Sequence, residues 1–354
     1  MSTKLELGVF LPIGNNGFLV SKTAPQYAPS FEMNRQIAIM AENFGFDLIF
    51  SMSKWRGFGG TTRFWDTTLE SVTLMTALAA VTSRIRLIAT MQPVLFAPAV
   101  AAKMAATIDD ISGGRFGINI VTGSFLDEFD QMGILPPDYA AQRYRYAEEW
   151  LKVVKRLWTE DSVTFDGEWF HLNDCRSSPR PVRQPHPFIV CAGTSDEGLR
   201  FTAREGDYCF LGGVTVEHTK QLSRRMKDVA AEFGRPIKTA TTILPVMADT
   251  MAEAERRWKL LQDGVDREAI ANIAGYYVRK GRQSGLNRIA KMEKDISFAG
   301  RITIGTPEDI ANYIAELTLE GGLDCIQLLF ADYIEGLEVF HAAVMPLLRQ
   351  RGVI

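Results

Sequence analysis

Asn119 stands inside the apolar run RFGINIV (residues 115–121), flanked by Ile118 and Ile120. An amide in such a run is costly unless it is paired. Two readings fit it: a core amide that ties neighbouring backbone together, or an amide offering a donor and an acceptor to a ligand. Other polar residues end or follow apolar runs in the same way. Ser51-Met52-Ser53-Lys54 follows FDLIF, Thr90 ends IRLIAT, and Thr122-Gly123 follows RFGINIV. Ala192-Gly193-Thr194-Ser195 follows PFIVC, and Gly212-Gly213 ends DYCFLGG. Gly193-Thr194-Ser195-Asp196 puts two hydroxyls at what reads as a helix start, which suits a phosphate and equally suits an ordinary N-cap. His171, His186, His218 and His341 never pair at metal-ligand spacing, so no metal site is expected. No Walker loop is present, and no GxGxxG opens a helix after the first apolar run.

The elements that must position these residues follow from the alternation of short apolar runs with longer helical patterns. The runs at 5–12, 46–51, 85–90, 115–121, 187–193, 207–213, 240–248 and 326–330 read as eight strands. They are continuously apolar, as strands buried on both faces are. Helical patterns stand at Met33 to Asn43, Thr68 to Val81, Ala97 to Ile111, Arg143 to Trp158, from about Asp196, and at Leu337 to Leu348. Strand–helix alternation gives right-handed parallel units, and eight of them predict a closed (β/α)8 TIM barrel of α/β class. Polar residues at strand ends then line the catalytic mouth. Residues 159–186, with FDGEWFHLNDC and a proline cluster (Pro179, Pro181, Pro185 and the adjoining Pro187), read as a small hairpin and an extended connection. Residues 262–300 read as a helical excursion or lid, and residues 1–354 as a single domain with these two insertions.

The loop Trp55-Arg56-Gly57-Phe58-Gly59-Gly60 reads either as a substrate loop or as a tight crossover, its glycines allowing close backbone approach. Phe64, Trp65, Phe96 and Phe125 fall in strand-to-helix connections, where aromatics stack on a planar ligand or simply pack. The 354 residues carry 39 Lys+Arg against 42 Asp+Glu, a net charge of −3 that leaves no basic footprint for nucleic acid. Hydrophobic residues make up 46% and charged residues 23%, which excludes disordered and low-complexity classes. Cys175, Cys191, Cys209 and Cys325 are scattered, without zinc or disulfide spacing. No run reaches the roughly 18 apolar residues of a membrane helix, and the N-terminal residues lack a signal-peptide h-region. A cytoplasmic, soluble protein is expected.

The strand-end residues also match a family. The chain resembles the flavin-dependent group of the bacterial-luciferase superfamily, and within it the pyrimidine oxygenases that open the uracil ring. The carrying segments are GVFLPIGNNGFLVS, FDLIFSMSKWRGFGG, LESVTLMTALAAVTSRIRL, KMAATIDDISGGRFGINIVTG, EFDQMG, RYRYAEEWLKVVKRLW, FHLNDCRSSPRP and CAGTSDEG. Dimethyl sulfone monooxygenases share many of the same segments. The resemblance implies a luciferase-like barrel that binds reduced FMN (FMNH2) delivered by a separate flavin reductase, with O2 attacking the flavin beside a small-molecule substrate. It implies FMN contacts at Ser53, Lys54, Asn119 and Glu128, and contacts from Arg143, Tyr144 and Ser195, the last of these to the phosphate. It places Thr90, Asn119 and Met52 in the pocket that holds O2 beside flavin N5, where the hydroxyl and amide would act as donors. Trp65, Phe96 and Phe125 are the substrate-side candidates. Two segments depart from the pyrimidine branch on that side: Ser124-Phe125 stands where Trp is usual, and MQPVLFAP follows the third strand. FMN is thus the firmer expectation, with uracil as substrate and a sulfone, sulfonate or other small ring as the alternative. A non-catalytic flavin-binding protein and a metal-dependent hydrolase fit the residues less well. A homodimer or homotetramer is expected from the resemblance and from the apolar circumference of Ala97 to Ile111.

Overall fold

The computed structural model describes residues 4–123, 125–193, 195–212, 215–279, 292 and 296–354. Ser124, Thr194 and Gly213, singled out above, lie outside these, as does much of 280–295 within the expected lid. The strands are β1 (Glu6–Phe10), β2 (Leu48–Ser51), β3 (Arg86–Met91), β4 (Phe116–Ile120), β5 (Val163–Asp166), β6 (His171–Cys175), β7 (Phe188–Cys191), β8 (Tyr208–Phe210), β9 (Lys238–Met247), β10 (Arg301–Gly305) and β11 (Cys325–Leu328). The helices are α1 (Phe31–Phe44), α2 (Ser71–Val81), α3 (Pro98–Ser112), α4 (Asp127–Asp130), α5 (Tyr139–Thr159), α6 (Asp196–Glu205), α7 (Val216–Glu232), α8 (Met251–Asp263), α9 (Arg267–Arg279), α10 (Pro307–Leu319), α11 (Tyr333–Val339) and α12 (Met345–Gln350).

Eight strands close the barrel in the order β9-β11-β1-β2-β3-β4-β7-β8, with β8 pairing back to β9. Every pairing in it is parallel. These are the eight strands expected from the apolar runs. Alternation along each strand sends Ile49, Leu87, Ala89, Ile118 and Ile189 out against the helices and Leu48, Phe50, Ile88, Val190, Ala240 and Cys325 into the lumen. Gly8 makes room there, because a Cβ on it would fall 2.4 Å from Gln327 Oε1. The N-terminal end of the lumen is closed by charge. Arg86 donates to Tyr208 Oη at 2.6 Å, and Tyr208 donates to Glu6 Oε2 at 2.8 Å. Burial works against the Glu6 carboxylate, yet Arg86, Lys238 and Tyr208 together hold its pKa below the ordinary value.

Several features differ from the expectation. β10 is an extra strand outside the closure, parallel to the upper half of β9 from Ile243 to Met247. β9 is long enough to serve β8 and β11 below and β10 above. The closing helix, expected as one piece, is two helices joined by a π-turn at Phe340–Val344. Pro346 has no N–H to donate, and the ladder slips by one residue just before it. The 159–186 segment does contain the hairpin, β5 against β6. In α3, Ala101, Ala102, Ala105, Ala106 and Ile108 are buried against the chain's own neighbours, α2, α5 and β4. That helix leaves only Val100 and Ile111 as exposed large apolar residues, so most of its apolar girth is met within the chain. Among the described residues no helix is long and apolar enough to cross a membrane.

Candidate active site

The register of β3 on β4 sets Thr90 opposite Asn119, both facing the lumen at the C-terminal end. Thr90 Oγ1 donates to the Ser51 carbonyl at 2.7 Å and accepts from Asn119 Nδ2 at 2.9 Å. The Thr90 N–H in turn donates to Ser71 Oγ at 2.8 Å, and Ser71 is the first residue of α2. A hydroxyl has one proton, and here Ser51 takes it. Thr90 therefore offers Asn119 a lone pair and holds its amide in one orientation. The Asn119 side-chain oxygen is buried and has no partner among the described residues. Because Asn119 lines the cavity at the barrel mouth, that oxygen is an acceptor open to a group placed there.

The tetrapeptide after β2 supplies the next group. Lys54 Nζ lies 2.7 Å from Glu128 Oε1, with the two side chains 4% and 6% exposed. Glu128 Oε2 accepts the Trp55 N–H at 2.6 Å, which ties the loop after β2 to α4. The ammonium also sits 4.3 Å from the Phe58 ring centre and 4.2 Å from that of Phe125. Paired, hydrogen-bonded and set between aromatic faces, the charge is compensated in an apolar surround. Met52, Ser53, Lys54, Trp65, Thr90, Asn119, Phe125 and Glu128 all line one cavity of about 220 Å3 at the barrel mouth. Its outer wall belongs to an aromatic cluster of Phe18, Phe58, Phe64, Trp65, Phe125 and Phe298. Trp65 is pinned there by its indole N–H, which donates to the Gly17 carbonyl at 2.6 Å. The described part of the expected lid packs on the same cluster through Ile270, Ile273 and Tyr276 of α9.

A second group forms where α5 meets the start of α6. Ser195 caps α6, accepting from the Gly198 N–H at 3.2 Å. A Cβ on Gly198 would lie 2.4 Å from Tyr144 Oη, so the tyrosine hydroxyl rests directly on that helix start. Gly193 is equally close, a Cβ there falling 2.4 Å from the Gly198 carbonyl oxygen. Arg143 stacks over the Tyr144 ring at 5.0 Å and donates to the Gly123 carbonyl at 3.0 Å, just past β4. Two hydroxyls thus meet at one helix N-terminus, with the Arg143 guanidinium stacked on the ring that carries one of them, an arrangement suited to an anion.

Phe96 does not join either group. It packs against the barrel–helix core, and its carbonyl accepts from Trp150 Nε1 at 2.7 Å. Gln92 is a polar residue lining the cavity that residue type alone did not single out as a ligand contact. Gln92 is two residues beyond Thr90 and so on the same face of the strand path, which is the one signal that could have found it.

Residues 5–324 match the family model described as luciferase-like monooxygenase. Pyrimidine monooxygenase RutA of Acinetobacter baylyi is 41% identical, the match covering 98% of this chain and 95% of that protein. The RutA protein of Stutzerimonas stutzeri is 42% identical, with 98% and 97% covered. Among solved structures, riboflavin lyase RcaE with modified FMN and riboflavin superposes with a TM-score of 0.88 at 22% identity, covering 99% of this chain and 92% of that one. A family match over nine-tenths of the chain, on a barrel whose mouth gathers the strand-end residues, settles its kinship: this chain is a member of the luciferase-like monooxygenase family.

Proposed function

We propose that the protein is a two-component monooxygenase that uses FMNH2 and O2 to oxygenate and open a small pyrimidine-type ring such as uracil. The observation that carries this reading is the Asn119 side-chain oxygen, held buried and unpartnered by Thr90 at the mouth of a family barrel. An isoalloxazine edge presents an N–H to such an acceptor. The residues fit FMN at its other end too: Arg143, Tyr144, Ser195 and the α6 N–H groups would hold the dianionic phosphate. Reduced FMN supplies the two electrons that O2 activation requires. The chain's own work is to orient, to exclude water and to hold the reactants together. Asn119 fixes the ring edge, while Trp65, Phe125 and Phe298 wall the cavity against solvent. The Lys54–Glu128 pair keeps the loop after β2 in place. The pyrimidine assignment draws on the full-length relatives at 41–42% identity.

The FMNH2 comes from a separate NADH- or NADPH-dependent reductase, since no nicotinamide fingerprint occurs in the chain. The test supplies purified protein with FMN, a flavin reductase, NADH, uracil and 18O2. A ring-opened product carrying 18O is expected, together with loss of the pyrimidine absorbance. NADH oxidation by the protein alone would overturn the two-component reading. Consumption of FMNH2 without product from uracil or thymine, alongside oxygenation of dimethyl sulfone, would replace the substrate.

A further inference from the structure

The loop after β2 and the residue just past β3 form a polar lock that none of the roles above uses. Gln92 is 3% exposed and lines the cavity at the barrel mouth. Its side-chain oxygen accepts two hydrogen bonds, from Ser53 Oγ at 2.9 Å and from Trp55 Nε1 at 3.0 Å. An indole N–H can only donate. The Gln92 atom facing it is therefore the oxygen, and the amide cannot be turned the other way without setting N–H against N–H. The NH2 group of Gln92 is left on the opposite side, makes no hydrogen bond to the described residues, and is not among the buried atoms lacking a partner. It faces the cavity as a fixed donor. Both locking residues belong to the tetrapeptide and loop after β2, and Lys54 between them is anchored by Glu128. The backbone N–H of Trp55 is anchored by the same carboxylate, so the lock does not drift relative to the cavity.

We infer that Gln92, held by Ser53 and Trp55, is a specificity-determining residue that recognises a carbonyl-type oxygen on a small substrate in this cavity. The inference rests on the proposed function for the site and names the substrate feature read there: an acceptor oxygen on a flat ring. A site built to donate a hydrogen bond discriminates against ligands that cannot receive one, because its own buried polar group is then left unpaired. Aliphatic or thio-substituted analogues, which lack a good acceptor at that point, would be rejected by the same device.

The test measures uracil binding to the FMN-loaded protein, by calorimetry or by perturbation of the flavin spectrum, in wild type, Gln92→Glu and Gln92→Met. Glu keeps the shape and still accepts from Ser53 and Trp55, yet turns a lone pair into the cavity instead of an N–H. Met removes both functions and guards against a charge effect. Tm and FMN binding report whether the barrel is intact in each. For Gln92→Glu, uracil Kd is expected to rise at least about tenfold, and for Gln92→Met about threefold to tenfold, the range of one neutral hydrogen bond. In turnover the loss is expected in KM more than in kcat. A uracil Kd equal in all three proteins overturns the inference, as does absence of uracil binding by the wild type. Uracil binding that depends on Gln92 without any turnover of uracil supports the inference while refuting the proposed reaction.

Discussion

Thr90→Val separates two roles that the position could have. The substitution keeps the side-chain shape and deletes the hydroxyl, so packing is not the variable. In the structure the hydroxyl makes two buried hydrogen bonds, to the Ser51 carbonyl at 2.7 Å and from Asn119 Nδ2 at 2.9 Å. At about 0.5–1.5 kcal/mol each, their joint loss amounts to about 1–3 kcal/mol. For a chain of this length that corresponds to a fall in Tm of about 1–4 °C. Asn119 then loses the acceptor that fixes its amide, and FMN affinity is expected to weaken by about threefold to tenfold, one neutral hydrogen bond's range. Thr90→Ser retains the oxygen and should restore both quantities. The assay takes Tm, FMN Kd and the ratio of product formed to NADH consumed on one preparation. A Thr90→Val protein with wild-type Tm and FMN affinity that nonetheless wastes reduced flavin would refute the reasoning. The hydroxyl would then act directly on oxygen, as a donor, rather than by positioning Asn119.

Three further outcomes follow from other contacts. Lys54→Met leaves the buried Glu128 carboxylate, among the described residues, with only the Trp55 N–H as a hydrogen-bond partner, and should cost about 3–5 kcal/mol in urea unfolding. The double variant Lys54→Met/Glu128→Gln should recover much of that, and equal losses in single and double would speak against the pair. Arg143→Ala should weaken FMN binding by about 10- to 150-fold, the equivalent of one charge-assisted hydrogen bond, while riboflavin, which has no phosphate, should be nearly unaffected. Glu42 collects the N–H groups of Ser83, Arg84 and Ile85, and although burial opposes it, these backbone bonds depress its pKa from 4.5 to about 2. Because the folded value lies below the unfolded one, its stabilisation is present above about pH 4.5 and is lost as pH falls towards 2. Glu42→Gln should therefore be less stable than wild type at pH 7, with the gap closing in acid, as followed by urea melts across pH.

How much of this was legible depends on what kind of interaction each feature needs. The eight barrel strands were readable because burial on both faces writes an uninterrupted apolar run, as in LIFS of β2 or FGINI of β4. β10 escaped because Arg301–Ile304 is only half-buried and follows an insertion, so its run carries no comparable mark. The helices α7, α8 and α10 carry no comparably apolar stretch, although α10 announces itself with a capping box at Thr306 and Asp309. Phe96 and Phe125 looked alike in sequence, as aromatics after a strand. Tertiary packing decides that Phe96 joins the barrel–helix core beside α5 while Phe125 turns to the Lys54 ammonium.

The same distinction runs through the site. Residue type and strand-end position were enough to gather Met52, Ser53, Lys54, Thr90 and Asn119, because a parallel barrel sends every strand's C-terminus to one mouth. Partnership was not, because it depends on register between strands. Thr90 donates its hydroxyl proton to the Ser51 carbonyl of β2 at 2.7 Å. Ser53 donates its hydroxyl proton to Gln92, just past β3, at 2.9 Å. In both cases a neighbouring strand takes the hydroxyl proton, and an amide is what remains to face the cavity: Asn119 with its oxygen, Gln92 with its NH2. A hydroxyl can rotate to suit any partner, whereas an amide held at one end presents a single, fixed group at the other. Using hydroxyls as braces and amides as contacts therefore gives the mouth of this barrel a defined acceptor on β4 and a defined donor just past β3, which is the kind of preorganisation that selects one orientation of a small polar ring.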